Sequence, residues 1–599
     1  MNSEILLKYQ ELANLYQSRC DANNERLKLI SYTRFLCIIG LIPVWIYVKP
    51  FSIQTAIAVS IVLIIFFLFL VKKFISTEKQ KHFYQHLAEI NRNEIKAIHR
   101  DWTPFDAGNQ FIDQHHDYSY DLDLFGNGSL FQFLNRTVTH SGKIQLASLL
   151  KESLRTPEEI LERQTAIQEL AGELNWRQHF MAIGMETAEQ KNQNQIDQTI
   201  RTTIDLKSPK TIRLLRSFLP AITIVLIGLK ITGILSSSFY LIPVFSQWII
   251  FILYSKTISK FYRQFESQSK ILSRYSEMLQ QIESKSFSGS YLVKLKATLT
   301  NKNKSASQIT FELKKILSEL DYRQNILIGI VLNSVFLWDL RCISKLNNWQ
   351  QNYGDDLHKW FEVISELDAL NSLANCNFNH PEWVTPKTSQ SEFLLKSIDI
   401  GHPLIDEKRS VANSFSLQDN EQIAIITGAN MAGKSTFLRT IGVNLILASN
   451  GCKVCAHSFE FSPIRIFTNM RTSDNLMNDE SYFYAELLRL QTMLNLIRNG
   501  EHLFVIVDEM LKGTNSVDKL NGSRELIRQL ILLKTHGIVA THDLGLTELA
   551  KQHPQSIKNM CFEVQLLHEE LSFDYKLTAG VTRTMNATFL MKKMGIIPN

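Results

Sequence analysis

Gly428-Ala-Asn-Met-Ala-Gly433-Lys434-Ser435 places two glycines, with four residues between them, ahead of a lysine and a serine. Glycine lets the backbone turn its N–H groups toward an anion. Lysine adds a point charge, and serine adds an oxygen suited to a hard cation. Together these are the parts of a phosphate site, and the spacing is that of the P-loop. The apolar run 423–426 ahead of it predicts a buried strand, and residues 437–448 predict a helix. A loop between strand and helix aims the helix N-terminus at the phosphates. The residues expected to hold the nucleotide are Gly428, Asn430, Met431, Ala432, Gly433, Lys434, Ser435 and Thr436. Lys434 would reach the β- and γ-phosphates of ATP, and Ser435 would bind Mg²⁺.

Downstream, residues 503–507 are five consecutive apolar residues followed by Asp508 and Glu509. Such a run predicts a central parallel strand, with its two carboxylates at the end where α/β sheets place ligands. Asp508 is expected at the Mg²⁺, and Glu509 as general base or water-positioning group. A third run, 537–540, ends in Thr541-His542-Asp543, where His542 could sense the γ-phosphate.

In these stretches the chain resembles the MutS family. Residues 427–439 (TGANMAGKSTFLR) are close to that family's P-loop. Asp508-Glu509 with Gly513, Thr514, Ser516 and Asp518 resembles its acidic motif, and Thr541-His542-Asp543 its histidine switch. Gly401-His402-Pro403-Leu404 and Val411-Ala412-Asn413 are similar to the segment bordering the base, which implies a nucleotide contact for Asn413. Ser473 to Leu476 and Ser481 to Phe483 resemble the signature region, which implies that Ser481 reaches the partner's nucleotide across a homodimer. The last residues, with Ala587 and Gly595 to Pro598, are like the family's closing dimer segment. Asp123-Leu124-Phe125-Gly126 and Glu162-Arg163-Gln164 resemble the lever domain, so the likeness runs from about residue 115 to 599.

The sequence also departs from that pattern. Asp479 and Glu480 replace the glycine and arginine before the signature serine, and Tyr482 replaces a threonine after it. Leu511 and Lys512 stand for a glycine and an arginine, and Ala429 for a proline. No Phe-x-Glu wedge occurs in the first hundred residues, so the element that reads a mispair is not expected there.

The supporting elements follow from composition. The chain has 599 residues, 45% hydrophobic and 20% charged, which predicts a folded protein of about four domains. Its net charge of +6 permits contact with nucleic acid or anionic lipid without demanding either. Seven scattered cysteines, with Cys452 and Cys455 as one CxxC, indicate reduced thiols in place of a disulfide framework or zinc site. Four segments are nearly charge-free: 35–48, 52–71, 217–235 and 239–255. They predict two transmembrane hairpins. Arg34, Lys72, Lys73, Arg213, Arg216, Lys256, Lys260 and Arg263 flank them on the side expected to be cytoplasmic.

The expected organisation has three parts. Residues 1–110 carry N-terminal helices with a hairpin at about 35–71. Residues 111–380 form an all-α lever interrupted by a second hairpin at about 217–255. Residues 381–599 form an α/β P-loop nucleotide-binding domain of the ABC type with C-terminal dimer helices. The expected function is a membrane-anchored, Mg²⁺-dependent ATPase of the MutS kind, dimeric and DNA-binding, with mismatch recognition not implied. The alternative is an ABC-type membrane motor or transporter component that does not act on DNA. A non-catalytic scaffold is disfavoured by the joint presence of Lys434 and Glu509.

Overall fold

The computed structural model describes the chain except for residues 1, 186–208, 236–237, 266–267, 302–303, 430, 472–481, 568–569 and 583–599. Its first feature is an antiparallel pair of long helices, α1 (Asn2–Pro43) and α2 (Ile53–Ile98). Pro43 ends the regular part of α1, a π-helical turn over Val44–Val48 follows, and the Ser52 hydroxyl caps α2 by accepting from the Thr55 N–H. The 46 residues of α2 make a rod roughly 70 Å long. Only its first half is apolar, so the hairpin has an apolar tip and a polar base. At the tip Phe35, Ile46, Phe51, Val62, Ile65 and Phe69 are exposed. The Arg34 guanidinium lies over the Phe67 and Phe74 rings where the apolar stretch begins. At the base, Tyr16 and Leu87 pack against Met181 and Ala182.

The helical body follows, with α3 (His140–Lys151), α4 (Pro157–Gly172), α5 (Leu174–Met185), α6 (Pro209–Ile231), α7 (Leu241–Phe265), α8 (Gln268–Ser284), α9 (Ala306–Asp321), α10 (Ile326–Phe336) and α11 (Trp338–Asn379). α11 is the spine, and α3, α4, α8 and α9 pack along it. Its buried Asp368 accepts from the N–H groups of Val138 and Thr139 and from the Thr139 hydroxyl, which fixes the start of α3. Burial raises that carboxyl to about 6.

Two described helices are long and apolar enough to cross a membrane, Ser3–Val48 and Ile53–Ile98. The expected second hairpin corresponds to α6 and α7, of which the apolar part Leu241–Lys256 is shorter than a full span. Reading runs of about twenty residues overlooked α10, whose 11 residues are almost wholly apolar. It packs on α6 and α7 and meets α11 at a 75° bend, where Leu337 takes a left-handed φ of 49°.

The C-terminal region is α/β. Strands β1 (Lys387–Thr388), β2 (Leu394–Ile400), β3 (Asn413–Gln418) and β5 (Ser458–Phe461) form a small sheet in the order β1-β5-β2-β3. The main sheet contains β4 (Ile423–Gly428), β6 (Arg465–Asn469), β7 (Leu503–Asp508), β8 (His536–Thr541), β9 (Ile557–Leu567) and β10 (Glu570–Ala579), in the order β10-β9-β4-β8-β7-β6. All its pairs are parallel except β9 with β10. Helices α12 (Lys434–Ser449), α13 (Tyr482–Arg498) and α14 (Ser516–Leu532) connect its strands. β4 and β8 are buried throughout, which explains their unbroken apolar runs.

Candidate active site

β4, β8 and β7 are adjacent, parallel and nearly in step: Thr427 pairs with Thr541, and Asp508 with Ala540. The three motifs therefore open on one edge of the sheet. Gly433, with a left-handed φ of 105°, turns the loop directly into α12. The helix thus begins at Lys434, three residues before its apolar pattern does, and Lys434 and Ser435 occupy its first turn.

Lys434 Nζ donates to the carbonyls of Gly428 (2.8 Å) and Ala429 (2.9 Å) and lies 3.2 Å from His542 Nε2. Burial lowers the Lys434 ammonium to about 8, against the upward pull of Asp508 and Glu509. Burial and the neighbouring Lys434 charge also lower His542, which favours a neutral imidazole. The Ser435 hydroxyl donates to Asp508 Oδ2 at 2.5 Å. Glu509 comes next in left-handed backbone, φ 64°, with its N–H bonded to the Ala540 carbonyl at 2.9 Å. Its Oε1 accepts from Lys519 Nζ at 2.6 Å. Burial raises the Glu509 carboxyl, but the hydrogen bond and charge of Lys519, with His542 and Lys512, outweigh it and leave the group below its usual range. Glu509 is therefore ionised at neutral pH.

These groups share one cavity of about 1180 Å³. Lys434, Ser435, Thr436, Asp508, Glu509 and His542 form its polar end. Ile400, His402, Leu404, Val411 and Asn413 form a second, more apolar wall. Asn413 accepts from the Leu577 N–H and donates to the Tyr575 carbonyl, joining β3 to β10 at the cavity rim. Met431 and Gly433 also line the cavity. The Gly428 carbonyl accepts from Lys434 Nζ, and the Ala432 side chain is buried. Asn430, Ser481, Asp479 and Glu480 lie outside the described residues, as do Ala587 and the segment Gly595 to Pro598.

The donors at the polar end suit Mg²⁺. A serine hydroxyl and a carboxylate in contact are hard oxygen ligands, and Mg²⁺ characteristically takes one or two carboxylates and completes its shell with phosphate and water. Among the described residues no group of three or more His, Cys, Asp or Glu side chains forms a metal cage.

Motif reading missed several contributors. Glu486 on α13 is buried and accepts from the N–H groups of Leu511 (2.6 Å) and Lys512 (3.1 Å), holding the loop that follows Glu509. Lys519 on α14 pairs with Glu509. The acidic block before the lever also docks here. Asp121 accepts from the Thr468 hydroxyl and the N–H groups of Met470 and Arg471, and Arg439, one turn beyond Ser435, donates to the Asp121 carbonyl. None of these pairings leaves a local pattern, because each joins different elements, and those of Asp121 span more than 300 residues of chain.

A helical body joined to a parallel α/β domain, with a glycine-bounded loop, an acidic pair and a histidine at its strand ends, defines the class of protein. Comparison with known proteins agrees with it. Residues 114–374 match MutS domain III and residues 424–598 match MutS domain V, together well over half of the chain. The chain belongs to the MutS family. It is 30% identical over 245 residues to "DNA mismatch repair protein MSH4" of Arabidopsis thaliana, covering 40% of this chain and 30% of the relative. It is 28% identical over 256 residues to "MutS protein homolog 4" of Homo sapiens, covering 40% and 26%. It is 31% identical over 252 residues to "DNA mismatch repair protein MutS" of Desulfatibacillum aliphaticivorans, covering 40% and 28%. The chain thus matches less than a third of the length of these relatives.

Proposed function

We propose that the chain is a membrane-anchored MutS-family ATPase that acts as a homodimer on DNA, with its C-terminal domain a P-loop nucleotide-binding domain of the ABC type. The observation that carries the hydrolytic part is the convergence of Lys434, Ser435, Asp508, Glu509 and His542 on one cavity. The loop amides and the first turn of α12 receive the phosphates of ATP. Lys434 turns from the Gly428 and Ala429 carbonyls to the β- and γ-phosphates. Ser435 and Asp508 would hold Mg²⁺, which neutralises charge on the phosphate oxygens when bound. The ionised Glu509 takes a proton from water as its oxygen attacks the γ-phosphorus. The bond to the β-phosphate oxygen breaks, leaving ADP and phosphate. Neutral His542, beside Lys434, donates to the γ-phosphate and reports its presence. Ser481 of each chain is assigned to the nucleotide of the partner, where it would meet developing charge on the phosphate.

The membrane part rests on the exposed apolar tip of α1 and α2, where Phe35, Ile46, Val62, Ile65 and Phe69 are uncovered; contiguous exposed apolar surface marks an interaction site. α6 and α7 are assigned as the second hairpin, giving a multi-pass protein with a cytoplasmic ATPase domain. DNA is proposed because the named relatives are DNA mismatch repair proteins. Mismatch recognition forms no part of the proposal.

The test uses the full-length chain purified in lipid nanodiscs. ATP binding is expected, and Lys434→Ala should abolish it. DNA binding should weaken steeply with salt, the mark of phosphate contacts. ATP turnover stimulated by lipid or solute while DNA binding is absent would replace the DNA reading with that of a membrane motor.

A further inference from the structure

α2, whose first turns form the apolar tip, ends beside the nucleotide cavity. Its final turn closes as a Schellman motif: the Asp101 N–H bonds to the Lys96 carbonyl at 3.0 Å, and the Arg100 N–H to the Ala97 carbonyl at 2.9 Å. Such a closure needs a left-handed residue, ordinarily glycine. Here the position holds Arg100, with φ 64°. A side chain held where glycine is easier is strain that the surrounding contacts must offset.

The Arg100 guanidinium forks onto the loop of the cavity's apolar wall. Nη1 donates to the Leu404 carbonyl at 3.0 Å and Nη2 to the Ile405 carbonyl at 2.8 Å, while Nε lies 3.6 Å from Asp406 Oδ2. Arg100, Leu404, Ile405 and Asp406 line the same cavity as Lys434. The helix that carries Arg100 is itself tied to the body. On α2 the buried Asn91 amide exchanges hydrogen bonds with Gln178, and Glu94 accepts from Asn379 Nδ2 at 3.0 Å. Residues 1–113 and the 402–406 loop both fall outside the two MutS domain matches.

We propose that Arg100 is a positioning residue of the nucleotide site, supplied by the membrane hairpin, which fixes the 402–406 loop against the nucleoside half of ATP. This rests on the nucleotide reading of the cavity. Two donors are spent on backbone carbonyls, so Arg100 acts through the loop and not on the phosphates. Because α2 is a continuous helix from tip to cavity, nucleotide occupancy and hairpin placement bias one another, and the coupling is reciprocal.

The experiment uses the full chain in nanodiscs. Arg100→Gly relieves the left-handed backbone and removes the fork together with the Asp406 contact, so the variant is expected to fold. Its KM for ATP should rise roughly 5- to 150-fold, the usual span of a coupling between sites, with kcat nearly unchanged. Arg100→Lys, which cannot fork, should fall between. In the unaltered chain, ATP should slow hydrogen exchange at residues 98–104 as well as at 428–436. An unchanged KM in Arg100→Gly, or protection confined to 428–436, overturns the inference while leaving the nucleotide site standing. Failure of the unaltered chain to bind ATP overturns both.

Discussion

In the α/β cavity each chemical group stands at a strand end or in the first turn of a helix, and its partners lie 2.5–3.2 Å away. Along the tip of α1 and α2 the apolar side chains can make no bonds of that kind: Ile61, Val62, Ile65 and Phe69 are each more than half exposed. The cavity works by identity, because a proton acceptor or phosphate donor cannot be exchanged for a neighbour in size. Under the proposed membrane anchoring the tip would work by composition, because lipid distinguishes apolar from charged and little else. Substitution should therefore expose two different tolerances in one chain.

The largest expected contrast is at the tip. Ile61→Arg places a charge where insertion costs about 2.5–3.5 kcal/mol at a span's centre, roughly a hundredfold against membrane residence. Ile61→Leu should be silent. The carbonate-resistant fraction measures both, and release of the unaltered chain by the wash would show that the tip is not in lipid.

A smaller effect is expected at Glu486, which touches no substrate. Glu486→Ala removes the carboxylate that accepts two N–H hydrogen bonds from the loop after Glu509. Each such bond contributes about 1.5–3 kcal/mol. We expect kcat to fall tenfold or more with KM little changed, and a loss confined to KM would assign Glu486 to binding instead.

The smallest effect is in pH. Lys434 is held near 8, so it is charged below that pH and loses its proton above it. Phosphates favour the ammonium, so binding takes up a proton above pH 8. ATP affinity should be level below pH 8 and weaken by up to tenfold per unit above it. Lys434→Arg should flatten that limb, since guanidinium stays charged.

The cavity was legible because its chemistry is written in short runs. The apolar strands 423–426, 503–507 and 537–540 each end in their functional residues, and parallel pairing brings those ends together. The lever start was legible by resemblance, but its docking onto Thr468 and Arg471 was not, since the partners are almost 350 residues apart. Glu486 and Arg100 escaped for the same reason: a carboxylate or guanidinium that serves distant backbone groups has no motif. α10 escaped by length, because eleven apolar residues resemble a buried core helix as well as a membrane one. The start of α12 at Lys434 depends on one left-handed glycine, Gly433, which a hydrophobic pattern does not register.

The most direct test of the account is single-turnover release of the ATP γ-phosphate by the full-length chain in nanodiscs, compared with Glu509→Gln. The account predicts release by the unaltered chain. In Glu509→Gln it predicts retained ATP binding and release slowed by at least about a hundredfold, the scale of losing a positioned base. Equal release by the two proteins, or none by the unaltered chain, would contradict it.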